Sequence, residues 1–326
     1  MSRIRAGLLV PALALAFLPL SGCTDGGALE PAGPPPLAQM EGFPGAGEVR
    51  TGYILNAQGQ PTRVTYEVKR GLAIWQGDIV LGPAESVAAS REELVRTAGP
   101  RLGVAVRAQE RRWTNGVVLY QLPYPWQTVV ERTTSAMQHI NSKTGGMISF
   151  VPRTDFNTEP AHLMDVIPVL SGCGVNKLGR NGRTEVYIGP ECTVGNIIHE
   201  IGHVLGLEHE QNRCDRNTYV NVLWNNMPQD WWPQFTVDCA VNMDVLQYDE
   251  GSIMHYPQYT TINGQTVQLM QSLRGRGGLM GQRTGLSTTD VSTIKQLYSS
   301  SSGSYDPPPG SGPGGGELMT SVSVRP

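Results

Sequence analysis

The chain has 326 residues, enough for one substantial domain with flanking segments. A formal net charge of −3, from 25 Lys and Arg against 28 Asp and Glu, offers no basic field for nucleic acid or for an acidic membrane surface. Hydrophobic residues make up 39% and aromatic residues 7%, ordinary values for a globular protein.

The first 22 residues read as a targeting segment. Arg3 and Arg5 precede an apolar run from Ala6 to Leu20, as in a secretory signal. The run is short and interrupted by Pro11 and Pro19, which argues against a permanent transmembrane helix. Leu20-Ser21-Gly22-Cys23 resembles the bacterial lipobox, in which the cysteine is lipidated and becomes the mature N-terminus. An exported lipoprotein of the bacterial cell envelope is expected, periplasmic or at the cell surface and held to the membrane by its N-terminal lipid. A plain secreted protein is the alternative. Residues 23–48 are rich in Gly, Pro and Ala, including Pro34-Pro35-Pro36, and read as a tether.

Residues 49–110 follow as a separate segment. Short β-like runs such as Val64-Thr65-Tyr66-Glu67-Val68 lead into Ile74-Trp75-Gln76-Gly77-Asp78-Ile79-Val80-Leu81, where Gly77-Asp78 reads at least as a hairpin turn. Residues 85–97 are expected to be helical, with an exposed face rich in Glu and Arg. The stretch from Arg101 to Arg112 is basic, and cleavage is expected around Arg101 or Arg107.

A larger unit spans residues 111–299. Val129, Val130, Thr133, Met137 and Ile140 recur near helical spacing and predict an amphipathic helix; His139 on it is expected at the surface. Ile148–Val151, Met164–Val169 and Thr184–Ile188 read as strands. Alternation places Glu185 and Tyr187 on one face of the last, which is expected to be an edge strand able to bind a peptide backbone.

Residues 199–209 read His-Glu-Ile-Gly-His-Val-Leu-Gly-Leu-Glu-His. On a helix, His199 and His203 lie four residues apart and share a face, so both can grip one metal ion. Gly206 lets the helix stop and the chain turn, which brings His209 back as a third ligand. Three imidazoles with one open position make a catalytic zinc site, with Glu200 beside it to take a proton from water. Downstream, Ser252-Ile253-Met254-His255-Tyr256 lies where a methionine turn belongs, with Met254 as an apolar floor. Ser287 with Asp290 forms a capping box opening a final helix, whose Val291, Ile294, Leu297 and Tyr298 face the core. Residues 300–326 are rich in Ser, Gly and Pro and are expected to be a disordered tail.

Several stretches together resemble the astacin family of metzincin zinc endopeptidases. His209-Glu210-Gln211-Asn212-Arg213-Cys214-Asp215-Arg216-Asn217-Thr218-Tyr219-Val220 is similar to the family's extension of the zinc motif. Tyr248 to Tyr256 is similar to its YDYxSIMHY, and Gly281-Gln282-Arg283 through Leu297-Tyr298 to its terminal segment. Trp113 to Tyr120 and Phe150-Val151-Pro152-Arg153 match earlier stretches, so the resemblance spans residues 111–298. Glu250 stands where a Tyr is usual and Asn217 where an Asp is usual, and two of the family's cysteines are missing.

The resemblance implies an α+β fold with a twisted N-terminal sheet, two helices of which the second carries the zinc ligands, and an irregular C-terminal subdomain ending in a helix packed beneath. It implies one catalytic Zn2+, a protein or peptide substrate, a monomer, and hydrolysis of peptide bonds with Glu200 as general base. Tyr256 takes the role of a further zinc ligand that swings away to stabilise the transition state, and Glu210 that of a structural latch for the mature N-terminus. Trp75 to Asp78 resembles the pro-segment motif in which an aspartate keeps the enzyme latent; Asp78 is then the latency switch. Family members carry a disulfide at the positions of Cys173 and Cys192, which leaves Cys214 with Cys239; a free thiol able to reach zinc is the alternative. Each such closed loop is worth roughly 3 kcal/mol in the chain-entropy account. An acidic preference just after the scissile bond would draw on Arg180, Arg183, Arg274 and Arg276. Two rivals remain: a lipid-anchored, non-catalytic adhesion or binding protein on the same scaffold, and a peptidase of narrow specificity.

Overall fold

The computed structural model describes residues 47–55, 61–69, 71–98, 111–237, 244–262 and 264–299. The targeting segment, Cys23, most of the tether, the cleavage region around Arg101 and Arg107, Cys239 and the 300–326 tail lie outside the described residues.

Four strands come first: β1 (Glu48–Leu55), β2 (Pro61–Lys69), β3 (Leu72–Trp75) and β4 (Ile79–Pro83). Each pairs antiparallel with the next, β1 and β2 over their full register from Glu48↔Val68 to Leu55↔Pro61. The short helix α1 (Arg91–Ala98) follows. It begins later than the helix expected from Glu85, and the reason is local. Ala84–Ser86 form a separate 3-10 turn, and Tyr53 N then donates to Ala88 O at 2.8 Å, which holds residue 88 in an isolated bridge to β1. Ser90 then caps the helix, its Oγ accepting from Glu93 N at 3.1 Å while Glu93 Oε2 accepts from Ala89 N at 2.8 Å.

Next come β5 (Val117–Gln121), α2 (Gln127–Thr144), β6 (Ser149–Pro152), β7 (Leu163–Pro168), β8 (Cys173–Val175), β9 (Arg183–Ile188) and α3 (Val194–Val204). All nine strands form one sheet in the order β1-β2-β3-β4-β8-β9-β7-β5-β6. β9, the expected edge strand, is interior: β7 pairs with it in parallel and β8 antiparallel. The three-residue β8 is too short to stand out in the sequence, yet it pairs along β9, and β4 joins it on its other side in parallel at Ile79↔Val175.

The sheet and both long helices share the main core. Val129, Ala136, Met137 and Ile140 of α2 meet Ile197, Ile198, Ile201 and Val204 of α3 over Val118, Val166, Val186 and Ile188 of the strands. Each such fully buried aliphatic side chain contributes about 2–3 kcal/mol of burial free energy. A second cluster holds the irregular half, with Val220, Phe235, Tyr248, Tyr256 and Leu269 packed around the short pair β10 (Val220–Val222) and β13 (Met270–Ser272). Between these lies the hairpin β11 (Tyr259–Ile262) and β12 (Gln265–Gln268). The final helix α4 (Thr288–Ser299) does not pack beneath this half as expected; Ile294 and Tyr298 enter the main core, and Tyr298 Oη donates to Leu205 O at 3.1 Å. Its capping box is formed: Ser287 Oγ accepts from Asp290 N at 2.9 Å and Asp290 Oδ2 from Ser287 N at 2.8 Å. Among the described residues, no helix is long and apolar enough to cross a membrane.

Candidate metal centre

α3 is built to hold its histidines still. Thr193 and Asn196 form a reciprocal capping box at its start. At its end Gly206 takes φ +93°, Leu207 N donates to Gly202 O and Gly206 N to His203 O, both at 2.9 Å. This is the paired-bond helix stop that a left-handed glycine permits. The turn carries His209 back against the helix, and its ring centroid lies 5.3 Å from that of His199 and 4.7 Å from that of His203.

A fourth side chain arrives from far upstream. Asp78, in the turn between β3 and β4, places Oδ2 3.2 Å from His199 Nε2 and 3.0 Å from His209 Nε2; Oδ1 is 3.9 Å from His203 Nε2. All four residues are buried, and their nearest ligand atoms lie within 4.8 Å of one another. The hairpin turn and the carboxylate facing the histidines are therefore one feature. The turn itself needs left-handed backbone at Gln76 (φ 52°) and Gly77 (φ 84°).

Proton accounting shows what this cluster is suited to hold. Each imidazole has its Nδ1 engaged by an oxygen: Ile253 O for His199 at 2.8 Å, Leu207 O for His203 at 2.8 Å, and Gln76 Oε1 for His209 at 3.2 Å. Burial pushes His199 down to about 3 and lowers His209 as well, so these rings are neutral and carry one proton each. With that proton on Nδ1, the Nε2 atoms present lone pairs to Asp78. Burial opposes charge on Asp78, but His209 and the hydrogen bonds of the facing imidazoles hold its carboxyl well below the usual carboxylate range. Four ligand atoms this close need a positive charge among them, a proton on an Nε2 or a metal ion. His203 Nε2 and Asp78 Oδ1 also have no hydrogen-bond partner. The donor set, three imidazole nitrogens and a carboxylate, fits Zn2+.

Glu200 sits on the same helix, 3% exposed, and its Oε2 has no partner. Burial, and then the nearby Asp78 charge, push its carboxyl well above the usual range. Met254 is buried, and a Cβ built on Gly202 would lie 2.6 Å from its Sδ; the helix glycine makes room for the methionine turn. Tyr256 packs its ring 4.9 Å from that of His209, while its hydroxyl donates to Gln76 O. Glu210 accepts from Asp249 N at 2.8 Å and borders a cavity of about 570 Å³ that also touches Ile54 and Val64 of the first sheet segment.

Two contributors carried no role at this site in the sequence reading. Arg283 donates to Ile253 O at 2.9 Å and to His255 O at 3.2 Å, and its own carbonyl leaves no room for a side chain at Gly195 of α3. Asp290 accepts from Ser252 Oγ at 2.6 Å and Ile253 N at 2.9 Å, so the cap of α4 is also the post of the methionine turn. Glycines inside a helix, Gly195 and Gly202, were the one available signal, since they mark close approach.

Of the four arginines expected to form a basic pocket, three have side-chain partners of their own. Arg183 is tied to Asp165 and to Glu159 at 2.7 Å, Arg274 lies 4.1 Å over the Tyr219 ring, and Arg276 is 3.8 Å from Glu250. Arg180 N donates to Arg111 O. Glu250 accepts from Ser272 Oγ, and Asn217 Oδ1 accepts from Arg216 Nε at 3.0 Å, so both departures from the family pattern have local partners. Cys173 and Cys192 form a disulfide, and Cys214 is disulfide-bonded too. Tyr187 Oη donates to Glu185, as their shared face requires. His139 Nε2 accepts from Leu286 N and His162 Nδ1 from Gly182 N, both away from the cluster.

Protein SpAN of Strongylocentrotus purpuratus is 30% identical over 233 residues, 69% of this chain and 37% of that protein. Zinc metalloproteinase nas-4 of Caenorhabditis elegans is 29% identical over 232 residues, 68% of each chain. Among solved structures, the hatching enzyme zinc-protease high choriolytic enzyme 1 of Oryzias latipes matches at 30% identity with a TM-score of 0.49, covering 58% of this chain and 92% of that one. The chain spans less than two fifths of the length of SpAN and of the similar blastula protease 10 of Paracentrotus lividus. The family model for astacin, peptidase family M12A, matches residues 105–299. With more than half of its length matched and an α+β fold ending in the methionine turn and a terminal helix, the chain belongs to the astacin family.

Proposed function

We propose that the protein is a zinc endopeptidase made as a latent precursor, with residues 49–110 as pro-segment and 111–299 as catalytic domain. The observation that carries this reading is the convergence of three imidazole Nε2 lone pairs on one buried point, with Glu200 alongside and Asp78 facing it. His199, His203 and His209 would hold Zn2+, which when bound polarises the scissile carbonyl and acidifies water. Glu200 takes the proton from the attacking water and delivers it to the leaving amine. Tyr256 Oη donates to the pro-segment carbonyl of Gln76; once that partner leaves, the same hydroxyl is available to donate to the oxyanion. Met254 closes the floor, and Glu210 serves as latch for the new N-terminus. Asp78 imposes latency by filling the position that water needs.

Export, a signal peptide over 1–22, lipidation at Cys23 and a Cys214–Cys239 pairing belong to the same proposal. Intact Glu200 and histidines favour catalysis over adhesion on a dead scaffold. The test uses residues 24–326 made in an oxidising compartment, mixed with a complex peptide library and read by mass spectrometry. Asp78→Ala should digest the library without processing, and Asp78→Ala with Glu200→Ala should not. Equal silence of both, with zinc bound and the pro-segment removed, would leave only the binding-protein reading.

A further inference from the structure

The pro-segment is more than a strap laid over the metal site. Val64, Tyr66, Ala73 and Ala84, with Ile54, Val68 and Val87 around them, form a hydrophobic cluster drawn wholly from residues 54–87. β1 and β2 pair along their full length and α1 follows with its own N-terminal cap. A segment with its own core, its own sheet register and its own capped helix has the makings of a small domain.

It docks by a different set of residues. Ile79 enters the main core among the helices of the catalytic half. Its neighbour Val80 points to the other face of the sheet, as alternation requires, and with Ile74 packs on Val169 and Tyr187. Val175 N donates to Asp78 O at 3.1 Å, continuing the sheet across the boundary. Far from that seam, Glu67 of β2 is 2% exposed and accepts from Gln234 Nε2 at 3.1 Å, on the 3-10 segment Gln229–Phe235 of the irregular half. Gln76 adds a fourth hold, its side chain on His209 and its carbonyl on Tyr256. The segment therefore grips both halves of the cleft, through apolar burial on both faces of the sheet and two buried polar pairs.

We propose that residues 47–98 act as a protein inhibitor in their own right: they stay folded and bound to the catalytic half after the connection through residues 99–110 is cut, so one cut does not expose the metal site. This rests on the latent-precursor reading. A short tether supplies an effective concentration of about 1 mM, which the cut removes. The interface then has to hold with a Kd below about 1 µM at ordinary protein concentrations. That is within reach of a surface presenting three buried aliphatic side chains with buried polar pairs around them.

The test places a site-specific protease sequence between residues 99 and 110 of the full chain, cuts it to completion, and follows size-exclusion elution and peptide digestion together. Co-elution of the two pieces at micromolar concentration, with digestion below a tenth of that shown by the isolated catalytic piece, is the expected result. Digestion should then rise on dilution as the pieces part. Ile79→Ala, which leaves the segment's own cluster untouched, should weaken retention about ten- to a hundred-fold. Separation of the pieces at micromolar concentration overturns the proposal, as does co-elution with full digestion at once. If neither the uncut Asp78→Ala chain nor the isolated catalytic piece digests peptides, the peptidase reading fails by itself, and elution alone decides whether the segment remains docked.

Discussion

The two regions that supply the metal centre hold their side chains by opposite means. His199, Glu200 and His203 ride on α3, a helix capped at both ends and packed through Ile197, Ile198, Ile201 and Val204 into the main core. His209, Met254 and Tyr256 stand on irregular backbone, each fixed by particular polar side chains. Gln211 Oε1 accepts from Tyr256 N at 3.1 Å, Asp290 holds Ser252 and Ile253, and Arg283 holds the carbonyls on either side of Met254. In the first region many small dispersion contacts share the load, so single conservative changes are absorbed. In the second a few buried hydrogen bonds carry it, and removing one partner strands the other.

The largest effect tests the regular region's chemistry apart from its packing. Glu200→Ala should lower kcat about 10³–10⁴-fold while leaving the melting temperature and zinc content near those of the parent, since no hydrogen bond to Glu200 Oε2 is lost. A variant that also sheds zinc would show that Glu200 supports the ligands and not only the proton transfer.

The contrast between regions is sharpest in a paired experiment. Asp290→Ala removes the acceptor of Ser252 Oγ, Ile253 N and Ser287 N together, and should cost roughly 2–4 kcal/mol and loosen zinc retention against a chelator. Ile201→Val, in the packed helix, should cost about 1 kcal/mol and leave zinc retention unchanged. Equal losses of zinc in the two would erase the distinction. Gly202→Ala probes where the regions interlock. In a free-standing helix the change would stabilise by up to about 1 kcal/mol. Here the added methyl meets Met254 Sδ, so net destabilisation of about 1–2 kcal/mol and a displaced methionine turn are expected. A stabilised Gly202→Ala protein would show that helix and turn are less closely fitted than the distances imply.

The same division governed what the sequence disclosed. Period and capping are local signals, so α2, the ligand helix and the Ser287–Asp290 cap could be read from residues within a few positions of each other. Gly206 announced the stop of α3 because only a left-handed residue permits that pair of bonds. The second duty of Asp290, toward residues 252 and 253, spans 38 positions and leaves no periodic trace. Arg283 is alike: it was noticed as part of a resemblance and given no task. β9 was taken for an edge because its neighbour β8 has three residues, and the completion of the sheet by β4 depends on a pairing nearly a hundred positions away. Asp78 was singled out only through resemblance, since a Gly-Asp turn is equally an ordinary hairpin.

The smallest predicted effect concerns the cost of an ionisable group in the irregular region. Burial pushes the Glu210 carboxyl up to about 8, against opposing contributions from Arg213 at 3.6 Å and the Asp249 N–H. The unfolded chain releases this proton near 4.3, the ordinary value for Glu. Below that pH both states are protonated and the side chain carries no penalty. Between there and about pH 8 the folded state still holds a proton that the unfolded state has released, so stability falls as pH rises, and the decline levels off above 8. Glu210→Gln preserves an oxygen for Asp249 N and removes the titration. Its urea midpoint should match the parent near pH 4 and exceed it at pH 8 by roughly 1–2 kcal/mol, a figure reduced for the partial solvent contact of this side chain. Parallel curves at both pH values would mean that Arg213 keeps Glu210 ionised throughout. The two groups would then act as a fixed ion pair beside His209, and the irregular region would hold its third ligand by charge as well as by hydrogen bonds.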